Sequence, residues 1–215
     1  MTDSARLPSE FAIFPLGGAL LLPGGRLPLN IFEPRYLAMV EDALGSGRMI
    51  GMILPDPALP RPGGRSGLYR TGCLGRIASF AESGDGRYLI TLLGLSRFDV
   101  VEELPDHPAG FRRIRADLGP YAADLQPDAS GIDRDQLMAA LWPYFRAKQI
   151  EADTDAVDRI PLPELLTTLC MICPFDDQEK QALLTAPGAR ERAELLTAML
   201  RIDAVAGAVG GGPLQ

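Results

Sequence analysis

At 215 residues, 47% hydrophobic and 23% charged, the chain is long enough to bury a sizeable core and has an ordinary globular composition. Its net charge of −7 accumulates wholly beyond Gly119, which sets an acidic second half against nucleic-acid phosphate. No apolar run approaches the roughly 18 to 20 residues that span a bilayer, MTDSARLPSE lacks the features of a leader, and the odd set Cys73, Cys170 and Cys173 does not make a disulfide framework, so the expected location is cytoplasmic, with no membrane partner.

Residues 11–37, FAIFPLGGALLLPGGRLPLNIFEPRYL, concentrate two apolar runs, two glycine pairs and a helix start. FAIFPL and ALLLP, bounded by Gly17-Gly18 and Pro23-Gly24-Gly25, predict short buried strands joined by tight turns. Glycine pairs cradle phosphate only beside a helix N-terminus, and strands are expected to follow these, so they read as turns. LPLNI alternates Leu27, Leu29 and Ile31 on one face. Pro34 then opens a helix carrying Leu37, Val40 and Leu44, closed by Gly45. RMIGMIL, 48–54, predicts a buried strand. PDPALPRPGGRSG, 55–67, has few residues able to pack and predicts an exposed, mobile loop. Residues 69–80 and 87–101 predict a hairpin turning through AESGDG, with a bend or bulge at Gly94, and FRRIRADL, 111–118, is the last expected strand. Six or more short strands with one early helix imply a closed or half-closed antiparallel barrel.

Residues 121–131 read as a polar linker, after which the periodicity is helical. Asp133 is placed to cap a helix bearing Leu137, Met138 and Leu141, which Pro143 is expected to end or kink. A second helix is expected over 161–172, stopped by Pro174. Asp176 and Glu179 have capping-box spacing for a short helix that Ala186-Pro187-Gly188 closes. The last helix is expected over 189–205, with Leu195, Leu196, Met199, Leu200 and Ile202 buried. The division expected is a β-rich part over 1–120, a helical part over 121–206 and a disordered tail over 207–215.

The blocks FPLGGALLLPGGRLPLNIFEPRYLAMVEDAL, MIGMILP, LYRTGCLGRIASF and DGRYLITLLGLSRFDVVEEL stand in a specific order. That order and spacing resemble the N-terminal, substrate-binding (LON) domain of Lon proteases. PFDDQEKQALLTAPGARERAELLTAML is similar to that family's closing helices. The chain is therefore identified as a stand-alone bacterial member of the LON substrate-binding domain family. The resemblance implies an α+β fold: a β-rich PUA-like pseudo-barrel with one early helix, followed by a small C-terminal helical bundle. It also implies a non-catalytic module that recognises unfolded or exposed hydrophobic polypeptide segments, as an accessory to a protease in protein quality control. PUA-type barrels bind RNA, and the β-rich part carries Arg70, Arg76, Arg87, Arg97, Arg112, Arg113 and Arg115, so RNA binding is the alternative. A contiguous basic patch with exposed aromatics favours RNA; arginines paired with acids favour the polypeptide binder.

Catalytic patterns are missing from the chain. No GxxxxGK[ST] loop is present to cradle nucleotide phosphates. The only lysines are Lys148, in the polar tail of a helix, and Lys180, in the acidic stretch DDQEK. Neither lies in a pattern like the family's Ser/Lys dyad. His107, the only histidine, sits among turn residues in LPDHPAG without a GxSxG elbow, and reads as an exposed loop residue rather than part of a hydrolase triad. Cys170 and Cys173 have metal or redox spacing but no second pair, and the apolar stretch LLTTLCMICP makes them core residues. No enzyme activity, cofactor or metal is expected. Glu33, Arg35 and Tyr36 match the family's EPRY and are the candidate contacts for a bound peptide or partner. Their other reading is structural: Glu33 at the helix N-terminus, Arg35 and Tyr36 bracing the barrel by hydrogen bonds and stacking.

Overall fold

The computed structural model describes residues 7–60, 66–126 and 131–210. In chain order the elements are β1 Glu10–Pro15, β2 Arg26–Ile31, α1 Pro34–Gly45, β3 Met49–Ile53, β4 Pro55–Pro60, β5 Ser66–Leu68, β6 Thr71–Glu82, β7 Tyr88–Leu104 and β8 Arg112–Asp117. A 3₁₀ segment Gly119–Leu125 follows, then α2 Arg134–Ala147, α3 Thr154–Arg159, α4 Leu162–Ile172, α5 Asp177–Thr185 and α6 Ala189–Gly210. They form two compact units, Met1–Gln126 with Pro174–Leu184, and Pro127–Cys173 with Thr185–Gln215. The fold is α+β, with the β-rich sheet, the early helix and the C-terminal helices expected from the sequence.

In the first unit the strands pair in the order β2-β7-β6-β3-β1-β8, and β8 also pairs with β7. Strands β7, β6, β3, β1 and β8 therefore close into a ring, with β2 added on the outside of β7 and left with one open edge. Closure is possible because β7 is 17 residues long. Its first half pairs with β2 and its last residues pair with β8. A register shift between Leu74↔Ser96 and Gly75↔Gly94 leaves Leu95 unopposed, a bulge at the position where Gly94 suggested one. The ring is not purely antiparallel as expected: β1 and β3 run parallel, because the chain between them passes through β2 and α1 before returning. Phe11, Ile13, Leu74, Phe98 and Ile114 fill the interior, and Phe11 meets Phe98 edge-on at 5.1 Å.

Three local expectations change in this unit. ALLLP forms no strand; Leu20, Leu21 and Leu22 are buried, but the segment crosses the inner side of β7 at Gly94 instead of joining a ladder. Part of 55–67 is ordered into a two-stranded sheet, with Pro55 opposite Leu68 and Asp56 opposite Gly67. Prolines are accommodated because each strand of such a pair keeps an open side that needs no N–H; residues 61–65 lie outside the described residues. Lys180 is not on an acidic surface but 5% exposed. It lies on α5, which packs with the strands although it falls within the stretch 121–206 expected to be helical. There Lys180 Nζ donates to Gly18 O at 2.5 Å, Gly18 N donates to Asp177 Oδ1 at 2.7 Å, and Gln181 Nε2 donates to Thr71 O at 3.2 Å. The capping box is formed reciprocally: Asp176 N donates to Glu179 Oε2 at 2.9 Å and Glu179 N to Asp176 Oδ1 at 2.8 Å.

In the second unit α2 and α4 pack against α6. Asp133 caps α2 by accepting from Gln136 N at 3.0 Å. Pro143 does not end α2, which runs on to Ala147; Leu141 and Tyr144 on either side are fully buried, so packing offsets the lost backbone bond. The six-residue α3 was not expected. Its cap, Asp153 accepting from Ala156 N at 3.2 Å, is visible in the sequence, but its other end depends on Arg134, which donates to the carbonyls of Val157, Asp158 and Ile160. α6 continues to Gly210, and Ile202 is 69% exposed rather than buried, lying off the Ala193, Leu196, Leu200 face. Residues 211–215 of the expected tail lie outside the described residues.

Tyr144 offers a test of this core. Its hydroxyl is buried without a hydrogen-bond partner and lies beside the Cys173 thiol; burial, reinforced by that thiol, pushes its pKa up. A desolvated hydroxyl with at most a weak sulfur neighbour contributes little. Tyr144→Phe is therefore expected to leave stability unchanged or raise it by up to about 1 kcal/mol, as measured by urea unfolding.

Candidate functional site

The extended backbone of Glu33 (φ −72°, ψ 133°) and the fixed φ of Pro34 start α1, so Arg35 and Tyr36 fall in its first turn. Glu33 Oε2 accepts from Arg35 Nε at 3.0 Å and Nη2 at 2.7 Å. The Arg35 guanidinium then lies 4.6 Å from the Tyr36 ring centroid. The Tyr36 ring in turn packs on Phe14 of β1, with centroids 4.3 Å apart. The three sequence-nominated residues thus form one stack that runs from solvent into the barrel wall.

Arg35 and Tyr36 line a cleft of about 300 Å³, together with Pro15, Pro55, Ser66, Gly110, Phe111 and Arg112. Glu33 is not among the lining residues; it orients Arg35. Arg112 is held by Glu103, which accepts from its Nη2 at 2.8 Å, and donates through Nη1 to Ser66 O at 3.3 Å. Tyr36 is 9% exposed, and burial pushes its hydroxyl pKa up, opposed by the nearby Arg35 and Arg112 and reinforced by Glu33. His107 belongs to the turn that sets this wall. Its ring stacks on Phe111 at 4.3 Å, and its Nδ1 accepts from Ala109 N at 3.3 Å. Phe111 and Arg112 were read in the sequence only as strand residues. Their place in the cleft follows from barrel closure, which no local pattern reports.

A second, apolar depression of about 460 Å³ lies over β2, β6 and β7, lined by Pro28, Leu29, Phe80 and Leu89 among others. Phe80 is 41% and Leu89 49% exposed, and neighbouring Phe32 is 61% exposed. It lies on the strands nearest the open edge of the sheet. Five of the seven arginines named from the sequence are balanced by acids. Arg70, Arg87, Arg97, Arg112 and Arg115 each sit in an ion pair with an aspartate or glutamate.

Cys73, Cys170 and Cys173 are buried and none is in a disulfide; burial pushes the Cys170 thiol up to about 12. Among the described residues no group of three or more His, Cys, Asp or Glu is placed to hold a metal ion, and no helix is long and apolar enough to cross a membrane.

A closed β-ring with an added edge strand, an early helix and a set of C-terminal helices defines a pseudo-barrel class with helical appendage. Within it, the chain belongs to the family described as the ATP-dependent protease La (LON) substrate-binding domain, which matches residues 10–201. Among curated relatives, Lon protease 2 of Myxococcus xanthus is 28% identical, aligned over 90% of this chain and 24% of its own length. Lon protease of Anaeromyxobacter dehalogenans is 27% identical, aligned over 90% and 23% respectively. The chain thus spans about a quarter of the length of the curated relatives it matches. Of solved structures, a Lon N-terminal domain protein from Xanthomonas campestris is similar in fold, with a TM-score of 0.60 at 23% identity, covering 89% of this chain and 98% of that one. The N-terminal domain of Mycobacterium avium complex Lon protease gives a TM-score of 0.54 at 17% identity, covering 89% and 97%.

Proposed function

We propose that the first unit is a polypeptide-recognition module that binds exposed hydrophobic segments without acting on them chemically, as an accessory in protein quality control. The observation that carries this reading is the set of exposed apolar side chains Phe32, Phe80 and Leu89 at the end of the sheet where β2 leaves an open edge. Phe80 shares a face with Ile90 and Leu29, and Leu89 shares the opposite face with Ala81 and Asn30, so an extended, apolar partner segment would cover large apolar side chains on both sides of this end of the sheet. Burying one such side chain contributes about 1.5 to 3 kcal/mol, so a few suffice for weak, sequence-tolerant binding. Membership of a substrate-binding domain family supports the same reading. Pairing of Arg70, Arg87, Arg97, Arg112 and Arg115 with acids weighs against RNA. A role beside a protease rests on the family relation and is part of the proposal.

The test uses a permanently unfolded, fluorescently labelled polypeptide titrated with the full chain. Saturable binding is expected, and Phe80→Asp with Leu89→Asp should weaken it at least about tenfold. Both side chains are substantially exposed, so the variant should keep its far-UV circular dichroism. Absence of saturable binding, or binding indifferent to the double substitution, would refute the assignment.

A further inference from the structure

We infer that the cleft between α1 and β8 is a carboxylate-reading pocket that takes the C-terminal residue of a polypeptide. This goes beyond the exposed apolar side chains and does not depend on them. The polar groups that line the cleft are mainly donors. Arg35 spends Nε and Nη2 on Glu33, which leaves Nη1 directed elsewhere on a side chain that is 50% exposed. The Tyr36 hydroxyl has no hydrogen-bond partner among the described residues, although Tyr36 is only 9% exposed. A phenol whose ring is buried but whose hydroxyl opens on a cleft is satisfied by water in the free protein, and a ligand acceptor can take that water's place. Of the three charges that act on this hydroxyl, two are the guanidiniums of Arg35 and Arg112 and one is Glu33. Each guanidinium also has its own carboxylate, Glu33 or Glu103, so what the cleft offers an anion is the Tyr36 hydroxyl and the remaining Arg35 arm as hydrogen-bond donors rather than a net positive charge.

The ligand is read from size and shape. A volume of about 300 Å³ lies at the small end of ligand sites, enough for one residue and too little for a chain passing through. Phe111, Pro15 and Pro55 supply apolar walls for that residue's side chain. Its carboxylate would accept from the Tyr36 hydroxyl with one oxygen and from Arg35 Nη1 with the other, two charge-assisted bonds in place of water. An internal aspartate or glutamate would have to bring two main-chain arms into the same space.

The experiment measures anisotropy of an N-terminally labelled octapeptide with an apolar last residue on the full chain. It compares three versions: free C-terminal carboxylate, C-terminal amide, and amide with an internal aspartate. The free acid is expected to bind at least about tenfold more tightly than either amide, the size of one charge-assisted hydrogen bond. Tyr36→Phe keeps the ring that packs on Phe14 and removes only the hydroxyl. It should abolish most of that difference, while Phe80→Asp with Leu89→Asp should leave it intact. Equal affinity of acid and amide overturns the proposal. So does rescue of the amide by internal aspartate, and so does a free-acid preference that persists in Tyr36→Phe.

Discussion

Asp124→Ala is expected to lower the stability of the first unit by about 3 to 5 kcal/mol, the range for removing one partner of a buried ion pair. Asp124 and Arg97 have side chains only 8% and 6% exposed. Asp124 Oδ2 accepts from the Arg97 main-chain N–H and from Nε, each at 2.9 Å, while Oδ1 accepts from Nη2 at 2.8 Å. The remaining arm, Nη1, donates to Leu184 O of α5 at 3.2 Å, and the guanidinium lies 4.7 Å from the Tyr121 ring centroid. One carboxylate thus ties β7 to the 3₁₀ segment, and its arginine ties both to α5. Alanine would strand a guanidinium in a site with little water, and the cost of that charge exceeds the worth of the pair itself. Urea unfolding should show the loss as a lower midpoint. The double variant Arg97→Met with Asp124→Leu, which removes both charges, should recover most of it. If the single variant loses less than about 1 kcal/mol, the site is wetter than its burial indicates and the guanidinium finds other partners.

How far such features can be read from sequence depends on the distance over which they act. α1 was legible to its ends because Pro34 and Gly45 are local signals, and the capping box of α5 because Asp176 and Glu179 are three residues apart. Arg97 and Asp124 are 27 residues apart and Lys180 and Gly18 are 162 apart; no periodicity links such pairs, so Lys180 read as a surface lysine. ALLLP misled for the opposite reason: a short apolar run carries burial but not hydrogen-bond direction, and burial came without a ladder. In the candidate site, Arg35 and Tyr36 stood out because a helix start fixes them in one turn. Phe111 and Arg112 reach the cleft only because β8 closes the ring on β1 and β7.

The second large effect is expected at Gly94. A Cβ built there would lie 2.0 Å from Leu22 O, 2.8 Å from Leu22 C and 3.3 Å from Leu21 Cδ1. The nearest atoms are main chain, so no rotamer change relieves the overlap; the loop must move. It is held to β7 at this point by two hydrogen bonds, Gly24 N to Gly94 O and Gly94 N to Gly25 O, each 2.9 Å. Displacing it strains or breaks both, at about 0.5 to 1.5 kcal/mol each, and partly unseats Leu21 and Leu22, which are 1% and 0% exposed. Overpacking alone costs about 1 to 3 kcal/mol, so Gly94→Ala should destabilise the unit by about 3 kcal/mol or more. Gly84→Ala, in the turn of the β6–β7 hairpin where nothing lies within 4 Å of the added carbon, is the control and should change the urea midpoint little. If the two variants were equal, the 19–25 segment would be free to shift and its leucines would not be packed as described. A selective loss at Gly94 would mean that the apolar run without a strand is fixed by one close backbone approach, which is why no other residue fits there.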